Sequence, residues 1–287
     1  MGRLRDWWDL FRPKHWVKNA FVFMPLPFAL AAGGHFEPGP FALGLLGFCL
    51  ATSAVYAFND VLDVEQDRRH PQKQNRPVAA GRIRPAAAVA ASVALLVAGL
   101  GLAALAGSHA VVTQLIYVAV NVAYSLGGKN VPLLDVFMLS SGFVLRVLLG
   151  CALIDVRPST WLLLCSSALA LFLALAKRRG DLVRGVGSEH RPSLRGYSMG
   201  FLNQAIAISA AMTLLAYALY CMEAAVLRHG REFASFPFVL FGVLDYLRMS
   251  DLRNSGDSPV ELILSAPSLL FAGLGWAVAT VWSVGLF

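Results

Sequence analysis

Long apolar stretches separated by short polar loops dominate this sequence. Nine of them are long enough, or nearly long enough, for the roughly 20 residues that a helix needs to cross a bilayer. They lie near residues 15–32, 41–60, 86–106, 110–127, 131–154, 160–176, 199–223, 233–248 and 266–287. A lipid-exposed span must satisfy its own backbone hydrogen bonds, and these runs are far too long for barrel strands. The pattern therefore predicts an all-α polytopic membrane protein with a bundle of nine transmembrane helices.

A different periodicity precedes the first stretch. The apolar positions that recur there at i, i+3, i+4 and i+7 are Leu4, Trp7, Trp8 and Phe11. Charged residues between them predict an amphipathic helix in the headgroup region, with the Trp pair at the interface. Residues 1–19 are therefore interpreted as an interfacial segment and not as a cleaved signal peptide. No soluble domain or linker is visible, which predicts a single domain over residues 1–287.

Composition supports the membrane interpretation. The chain is 57% hydrophobic and only 14% charged, against about 25% charged in soluble domains. Its net charge of +7 does not indicate a nucleic-acid-binding protein. Most Lys and Arg residues fall before span one and in the loops after spans two, six and eight. The positive-inside rule then places the N-terminus and these loops in the cytoplasm, at the plasma (inner) membrane. Recruitment of an anionic substrate is a second explanation for the basic loops.

The second stretch runs directly into the most informative segment, NDVLDVEQDRRHPQKQNRP from Asn59 to Pro77. If the helix continues through Asp67, Asn59, Asp63 and Asp67 recur at i, i+4 and i+8, with Asp60 beside them. Carboxylates about 6 Å apart repel by roughly 2–3 kcal/mol per pair at an effective dielectric of about 20. A hard divalent cation would reverse that cost, and oxygen ligands without His or Cys suit Mg²⁺.

The alternative is a solvated helix end at which these acids pair with Arg68, Arg69 and Lys73. Two proline breaks follow, at Pro71 and Pro77, and the loop between them is expected to present Lys73 and Arg76 near the acids.

Two further segments carry charges close to membrane depth. Lys129 lies on a Gly-rich loop, followed by Asp135 and, about three helical turns later, by Arg146. Asp135 and Arg146 are expected on nearly the same face of one helix, about 16 Å apart. Arg146 should face the bundle interior, either as a tether to backbone carbonyls or an acid, or as a phosphate-binding group. Lys18 is either an interfacial anchor or a site residue.

The segment KRRGDL, at the end of the sixth span, contains Lys177, Arg178 and Asp181. It is either part of the orientation signal or one wall of an anion pocket that faces the acidic segment, with Lys and Arg binding phosphates.

These motifs together resemble a known family. The pattern N-D-x-x-D-x-x-x-D after the second span resembles the first aspartate-rich motif of UbiA-type intramembrane prenyltransferases. The segments RPKHWVKN, NDVLDVEQDRRHPQKQNRPVAAGRI and YSLGGKNVPLLDVFMLSSGFVLRVLLG resemble the branch that makes decaprenylphosphoryl-5-phosphoribose. The second motif departs from that of aromatic prenyltransferases, because Lys177 stands where an acid precedes Asp181 by four positions. That substitution weakens a second metal site and fits a donor with an extra phosphate.

The resemblance implies a helical bundle with a cytoplasm-facing cavity and a lateral opening to lipid. It implies Mg²⁺-dependent transfer of 5-phosphoribose from 5-phosphoribosyl 1-diphosphate to a polyprenyl phosphate. The expected metal ligands are Asn59, Asp60, Asp63 and Asp67, with the three aspartates as catalytic residues. The expected substrate-binding residues are Lys18, Asn59, Arg68, Lys73, Arg76, Tyr124, Lys129, Asp135, Arg146, Lys177, Arg178 and Asp181.

Two rival functions remain open. A prenyl diphosphate-dependent enzyme that prenylates an aromatic or quinone precursor would use the same first acidic motif. A non-enzymatic lipid-phosphate transporter could use Arg146 and the basic loops but has no need for stacked carboxylates. Membrane lipids are expected partners, and the oligomeric state, including a homo-oligomer, is left open.

Overall fold

A computed structural model of the chain describes residues 2–70, 73–185, 191–253, 262–263 and 265–286. All regular secondary structure in these ranges is helical. The α-helices, numbered α1 to α11 in chain order, span Gly2–Phe11, Leu26–Ala31, Pro38–Leu62, Val64–Arg69, Pro85–Ala106, Ser108–Leu126, Leu134–Leu153, Thr160–Val183, Met199–Glu223, Phe236–Arg253 and Pro267–Ser283. Short 3₁₀-helices span Pro13–Phe23, Lys73–Asn75, Gly128–Asn130 and Pro192–Gly196.

Six of the described helices are long and apolar enough to cross a membrane. They are α3, α5, α6, α7, α8 and α9. Helix α11 is apolar but has only 17 residues, and α10 is interrupted by the charged residues Asp245, Arg248 and Asp251. These helices confirm the all-α polytopic class, whereas the number of nine spans is not confirmed within the described ranges.

The predicted first span, near 15–32, differs most from expectation. It is divided between the 3₁₀-helix Pro13–Phe23 and the short helix α2. Pro25 and Pro27 have no backbone N–H to donate, so an uninterrupted series of α-helical hydrogen bonds cannot pass through them.

The chain forms two compact units. The first comprises the residues up to Met24, Phe36–Lys129 and Leu145–Arg157, and the second comprises Pro25–His35, Asn130–Val144 and the residues from Pro158 onward. The prediction of a single domain stays a prediction, since one domain can contain more than one compact unit.

In the first unit, α3 packs against α1, α5 and α6. Helices α3 and α5 approach closely at two glycines, because a Cβ atom at Gly47 would lie 2.6 Å from the carbonyl oxygen of Gly99. Small residues commonly allow such contacts between membrane helices. Helix α1 forms as predicted and buries Leu10 in a cluster with Ala57 and Val78. This packing places the C-terminal end of α1 beside α3.

In the second unit, α8 packs against α9, and α10 packs against α9 and α11. The apolar core of this unit includes Phe172, Leu202 and Tyr246. The 3₁₀-turn Pro192–Gly196 lies against the segment before α7, where a Cβ atom at Gly196 would be 2.4 Å from Pro132 Cγ. This contact fixes the turn beside the first residues of α7.

Candidate active site

The acidic motif lies at the junction of α3 and α4, in the first unit. Helix α3 ends at Leu62, and Asp63 leaves α-helical geometry (φ −92°, ψ 5°) before α4 begins. The Asp63 N–H nevertheless donates to the Asn59 carbonyl at 2.9 Å, and the Asp67 N–H donates to the Asp63 carbonyl at 2.8 Å. The predicted uninterrupted helix is therefore broken at one residue, a type with low helix propensity, while the i, i+4, i+8 spacing is kept.

Each of the three aspartates of the motif forms an ion pair. Asp60 Oδ1 accepts from Arg12 Nη2 and, at 3.0 Å, from Arg76 Nη1. The same Arg76 nitrogen donates to Asp67 Oδ2 at 2.7 Å, and Lys129 Nζ donates to Asp63 Oδ1. Arg76 thus bridges two carboxylates whose mutual repulsion would otherwise oppose the fold.

Asn59 connects this group to helix α6. Its Nδ2 donates to Asp63 Oδ2 at 3.1 Å, and its Oδ1 accepts from Ser125 Oγ at 2.8 Å. Tyr124, the neighbour of Ser125 on α6, is half-buried. The structure therefore brings Asn59, Asp60, Asp63, Arg76 and Lys129 together.

The donor set of this acidic group fits a hard divalent cation. Asp60 is 1% exposed, and its Oδ2 is a buried oxygen without a hydrogen-bond partner among the described residues. Carboxylate and amide oxygens are the ligands that Mg²⁺ prefers. In the described ranges no three His, Cys, Asp or Glu side chains are arranged around one metal position.

Burial also affects the acidity of Asp67, which is 2% exposed. Desolvation raises the pKa of its carboxyl group above the ordinary value, and the positive charges of Arg76 and Lys73 oppose that shift. Loss of either cation would therefore favour the protonated form.

Arg12 is a site residue that the sequence did not single out. It lies between α1 and the 3₁₀-helix in left-handed geometry (φ 50°, ψ 54°), which costs a non-glycine residue about 1–3 kcal/mol. Ser53 on α3 holds this turn, because its Oγ donates to the Phe11 carbonyl at 2.8 Å and accepts from Trp16 Nε1 at 3.0 Å. The available signal was the Arg-Pro pair that opens RPKHWVKN.

The other basic residues of the first unit have different surroundings. Arg68 donates to Glu65 at 2.7 Å and to the Ala79 carbonyl at 3.2 Å. Of the three cations in the alternative that has Arg68, Arg69 and Lys73 pair with the acids, Arg68 therefore pairs outside the acidic motif. Lys73 is half-buried and acts electrostatically on Asp67, and Lys18 is half-buried in the 3₁₀-helix Pro13–Phe23.

Arg146 is buried inside the first unit and is 5% exposed. Its Nε donates to Asn19 Oδ1 at 2.9 Å, and one Nη donates to the Tyr117 hydroxyl at 3.3 Å. The guanidinium also lies 5.1 Å from the centre of the Tyr117 ring and 5.5 Å from that of Phe48. These contacts connect three segments of the first unit, and the two expected roles of Arg146, a tether and a phosphate-binding group, both stay predictions.

A second charged group lies in the second unit, around the first turn of α7. Asp135 and Arg178 are both 0% exposed and form an ion pair, with Arg178 Nε donating to Asp135 Oδ2 at 2.6 Å. Ser193 and Tyr197 also donate to Asp135, at 2.9 and 2.5 Å. Burial and the Asp135 carboxylate raise the pKa of Tyr197. From the sequence, Asp135 is expected to bind substrate. In the structure its carboxylate is enclosed by hydrogen-bond donors of the protein itself.

Asp181 extends this group through ion pairs to three arginines. Its carboxylate accepts from Arg178 and Arg184 at 2.9 Å each and from Arg191 at 2.6 Å. Lys177 is half-buried and lies close enough to act electrostatically on the same carboxylate. The sequence pointed to Lys177, Arg178 and Asp181 but gave no signal for Ser193 and Tyr197, which are brought there by the turn after α8.

Comparison with known proteins places the chain in a family. The profile of the UbiA prenyltransferase family matches residues 20–259. A decaprenyl-phosphate phosphoribosyltransferase of Corynebacterium glutamicum is 32% identical over 95% of this chain and 85% of its own length. The protein of the same name from Mycobacterium tuberculosis is 31% identical over 96% of this chain and 93% of its own.

Solved structures agree on the fold. A UbiA homologue from Archaeoglobus fulgidus bound to GPP and Mg²⁺ matches with a TM-score of 0.72 and 19% identity, covering 98% of this chain and all of that one. A homologue from Aeropyrum pernix matches with a TM-score of 0.70 and 17% identity, covering 94% of this chain and 97% of that one. The predictions of a membrane fold of UbiA type and of a transferase are confirmed, and the chain belongs to the UbiA prenyltransferase family.

Proposed function

We propose that the protein transfers 5-phosphoribose from 5-phosphoribosyl 1-diphosphate to a polyprenyl phosphate, such as decaprenyl phosphate, and releases diphosphate. The observation that carries the proposal is the meeting of Asp60, Asp63 and Asp67 with Arg12, Arg76 and Lys129 in one group. Carboxylates suit a metal ion, cations suit phosphates, and a donor with both a diphosphate and a 5-phosphate needs both. The identity to decaprenyl-phosphate phosphoribosyltransferases over most of the chain supports the same reaction.

The residues that would hold Mg²⁺ are Asp60, Asp63 and Asp67, with the side-chain oxygen of Asn59 beside them. The Oδ2 atom of Asp60 is a buried oxygen with no hydrogen-bond partner among the described residues, so it could bind a metal ion. When bound, Mg²⁺ would supply charge neutralisation for the diphosphate leaving group. Solved UbiA homologues of A. fulgidus contain Mg²⁺ together with GPP or DMAPP, which supports a divalent cation in this fold.

In the proposed reaction the bond from ribose C1 to the diphosphate oxygen breaks, and a bond from C1 to an oxygen of the lipid phosphate forms. Positive charge develops on the sugar ring, as in other glycosyl transfers. The lipid phosphate is already anionic near neutral pH and needs no strong general base. Lys129 and Arg76 are placed to hold donor phosphates by charge-assisted hydrogen bonds.

The remaining predicted contacts stay part of the proposal. Lys18, Arg68, Lys73, Tyr124 and Lys177 are half-buried or exposed, and we propose that they contact the substrates. Arg146, Asp135, Arg178 and Asp181 are buried, and we assign them to organising the protein around the substrates. The distribution of basic residues supports a site on the cytoplasmic face of the inner membrane.

The test is a transfer assay with the detergent-purified protein, radiolabelled 5-phosphoribosyl 1-diphosphate, decaprenyl phosphate and Mg²⁺. We expect label to enter the organic phase and to stay in water when EDTA is added. Asp60→Asn should abolish the transfer, because it removes one charge from the buried carboxylate. Asp251→Asn is the matched control, since Asp251 is a 78% exposed aspartate, and it should retain full activity.

A parallel reaction contains geranyl or farnesyl diphosphate and an aromatic acceptor. Consumption of that prenyl diphosphate, with no label transferred to decaprenyl phosphate, would move the protein to the prenyl-transferring enzymes of its family. Turnover in neither reaction, with intact folded protein, would refute both enzymatic assignments for these substrates.

A further inference from the structure

The N-terminal segment carries one arginine into the acidic group. Arg12 lies 48 positions before Asp60, yet its Nη2 donates to Asp60 Oδ1. Its guanidinium also lies 5.1 Å from the centre of the Tyr56 ring, one turn earlier on α3. The side chain is 17% exposed. Arg12 is therefore half-enclosed at the acidic group and still accessible from outside the protein.

The local backbone is built to keep Arg12 there. Left-handed geometry is rare for a non-glycine residue and rarer still before a proline, which favours extended geometry. The hydrogen bonds from Ser53 to the Phe11 carbonyl and from Trp16 to Ser53 fix the residues on either side of the turn to α3. Strained backbone that the surrounding structure maintains in this way is typical of functional sites.

Arg12 and Arg76 share Asp60 but are held differently. Arg76 bridges Asp60 and Asp67, so its departure would leave two buried carboxylates facing each other. Arg12 binds Asp60 on the same oxygen, while Oδ2 of that carboxylate is buried without a partner. A cation that binds Asp60 would therefore weaken the Arg12 pair first, and a guanidinium released from a carboxylate is well suited to a phosphate.

We propose that Arg12 is a substrate-binding residue that exchanges partners, pairing with Asp60 before loading and with a phosphate of the diphosphate donor when a divalent cation binds Asp60. This inference rests on the proposed function for the identity of the donor. The exchange itself requires only a divalent cation and a diphosphate group. Helix α1 thus positions a binding group in addition to lying against α3.

The exchange makes two predictions of opposite sign for Arg12→Ala. Without donor, the variant should bind Mn²⁺ more tightly than the wild type, because Asp60 has lost a competing cation. With Mn²⁺ present, it should bind inorganic diphosphate about tenfold more weakly, the typical effect of losing one hydrogen bond to a charged group. Arg12→Lys keeps the positive charge but not the planar pair of N–H donors, so both of its affinities should lie between those of the wild type and of Arg12→Ala.

Mn²⁺ binding is measured by the loss of the free-ion EPR signal, and diphosphate binding by calorimetry at saturating Mn²⁺. Arg5→Ala is the matched control, because Arg5 is an exposed arginine on α1, the helix that ends just before Arg12; it should leave both affinities unchanged. If Arg12→Ala weakens both affinities, or changes neither, Arg12 is only structural and the proposal is wrong. Both measurements omit the ribose donor, so a failure of the proposed reaction leaves this test intact.

The donor then supplies a third readout. If the proposed function holds, Arg12→Ala should raise KM for 5-phosphoribosyl 1-diphosphate about tenfold and leave KM for decaprenyl phosphate unchanged. An equal rise in KM for both substrates would contradict a specific contact between Arg12 and the donor.

Discussion

Replacing Asp135 with alanine is expected to destabilise the second unit strongly. Asp135 and Arg178 are both 0% exposed, so the substitution removes one of the two carboxylates that pair with a buried guanidinium and leaves it Asp181. Removing one partner of a buried pair costs about 3–5 kcal/mol. Ser193 and Tyr197 lose the same acceptor, which adds about 1 kcal/mol for each unsatisfied donor. We therefore expect Asp135→Ala to lower the free energy of unfolding by at least about 3 kcal/mol.

The next residue on α8 provides the control. Arg179 pairs with Asp251, whose side chain is 78% exposed, and exposed pairs contribute about 0–1 kcal/mol. Asp251→Ala should therefore unfold nearly as the wild type does. A double variant, Asp135→Leu with Arg178→Met, removes both members of the buried pair and should recover part of the stability lost in Asp135→Ala. The recovery is only partial because Ser193, Tyr197 and Asp181 still lose a partner.

All four proteins are heated in the same detergent, and the fraction that remains monodisperse is measured by size-exclusion chromatography. The expected order of midpoints is wild type and Asp251→Ala together, the double variant below them, and Asp135→Ala lowest. If Asp135→Ala had the midpoint of Asp251→Ala, Asp135 could not be the buried acceptor on which this reasoning depends.

Two further predictions concern the first unit. Gly47→Ala should destabilise the protein by about 1–3 kcal/mol, because its Cβ would be 2.6 Å from the Gly99 carbonyl oxygen. Gly101→Ala is the control: a Cβ there has nothing within 4 Å, so it should stabilise the protein by about 0.5–1 kcal/mol. The two variants are compared by thermal unfolding, and equal midpoints would contradict the close contact between α3 and α5. Arg76→Gln removes a positive charge that lowers the pKa of Asp67, so the pKa of Asp67 should be higher in the variant. On acidification, the pH at which half of the Mn²⁺ binding is lost should therefore rise. An unchanged pH dependence of Mn²⁺ binding would show that Asp67 is not a metal ligand.

The fold class could be predicted because it depends on long-range averages. The lengths of apolar runs and the distribution of charge lead directly to helices α3, α5, α6, α7, α8 and α9. The first span could not be predicted correctly from hydropathy alone, because Pro25 and Pro27 interrupt the hydrogen bonds without making the segment less apolar. Periodicity likewise predicted α1, since an amphipathic pattern needs no tertiary information.

The site was predictable where its residues lie on one helix or in the loop that directly follows it. Asn59, Asp60 and Asp63 follow from helical spacing, but their partners come from distant segments. Arg12 reaches Asp60 through a left-handed turn, and Ser193 reaches Asp135 through a 3₁₀-turn. No periodicity encodes such contacts, because tertiary packing determines which loops meet.

The charge balance of the acidic group has a consequence for how substrates bind. Asp60, Asp63 and Asp67 form ion pairs with Arg12, Arg76 and Lys129. A divalent cation that binds alone would have to displace these basic side chains and would leave them without their carboxylate partners. A diphosphate alone would meet three carboxylates. Under the proposed function, the carboxylates would bind the metal and the released cations would bind the phosphates when both arrive together, so each ligand would lower the cost of binding the other. Such coupling is reciprocal, and it favours a site that assembles only around the complete metal–diphosphate substrate.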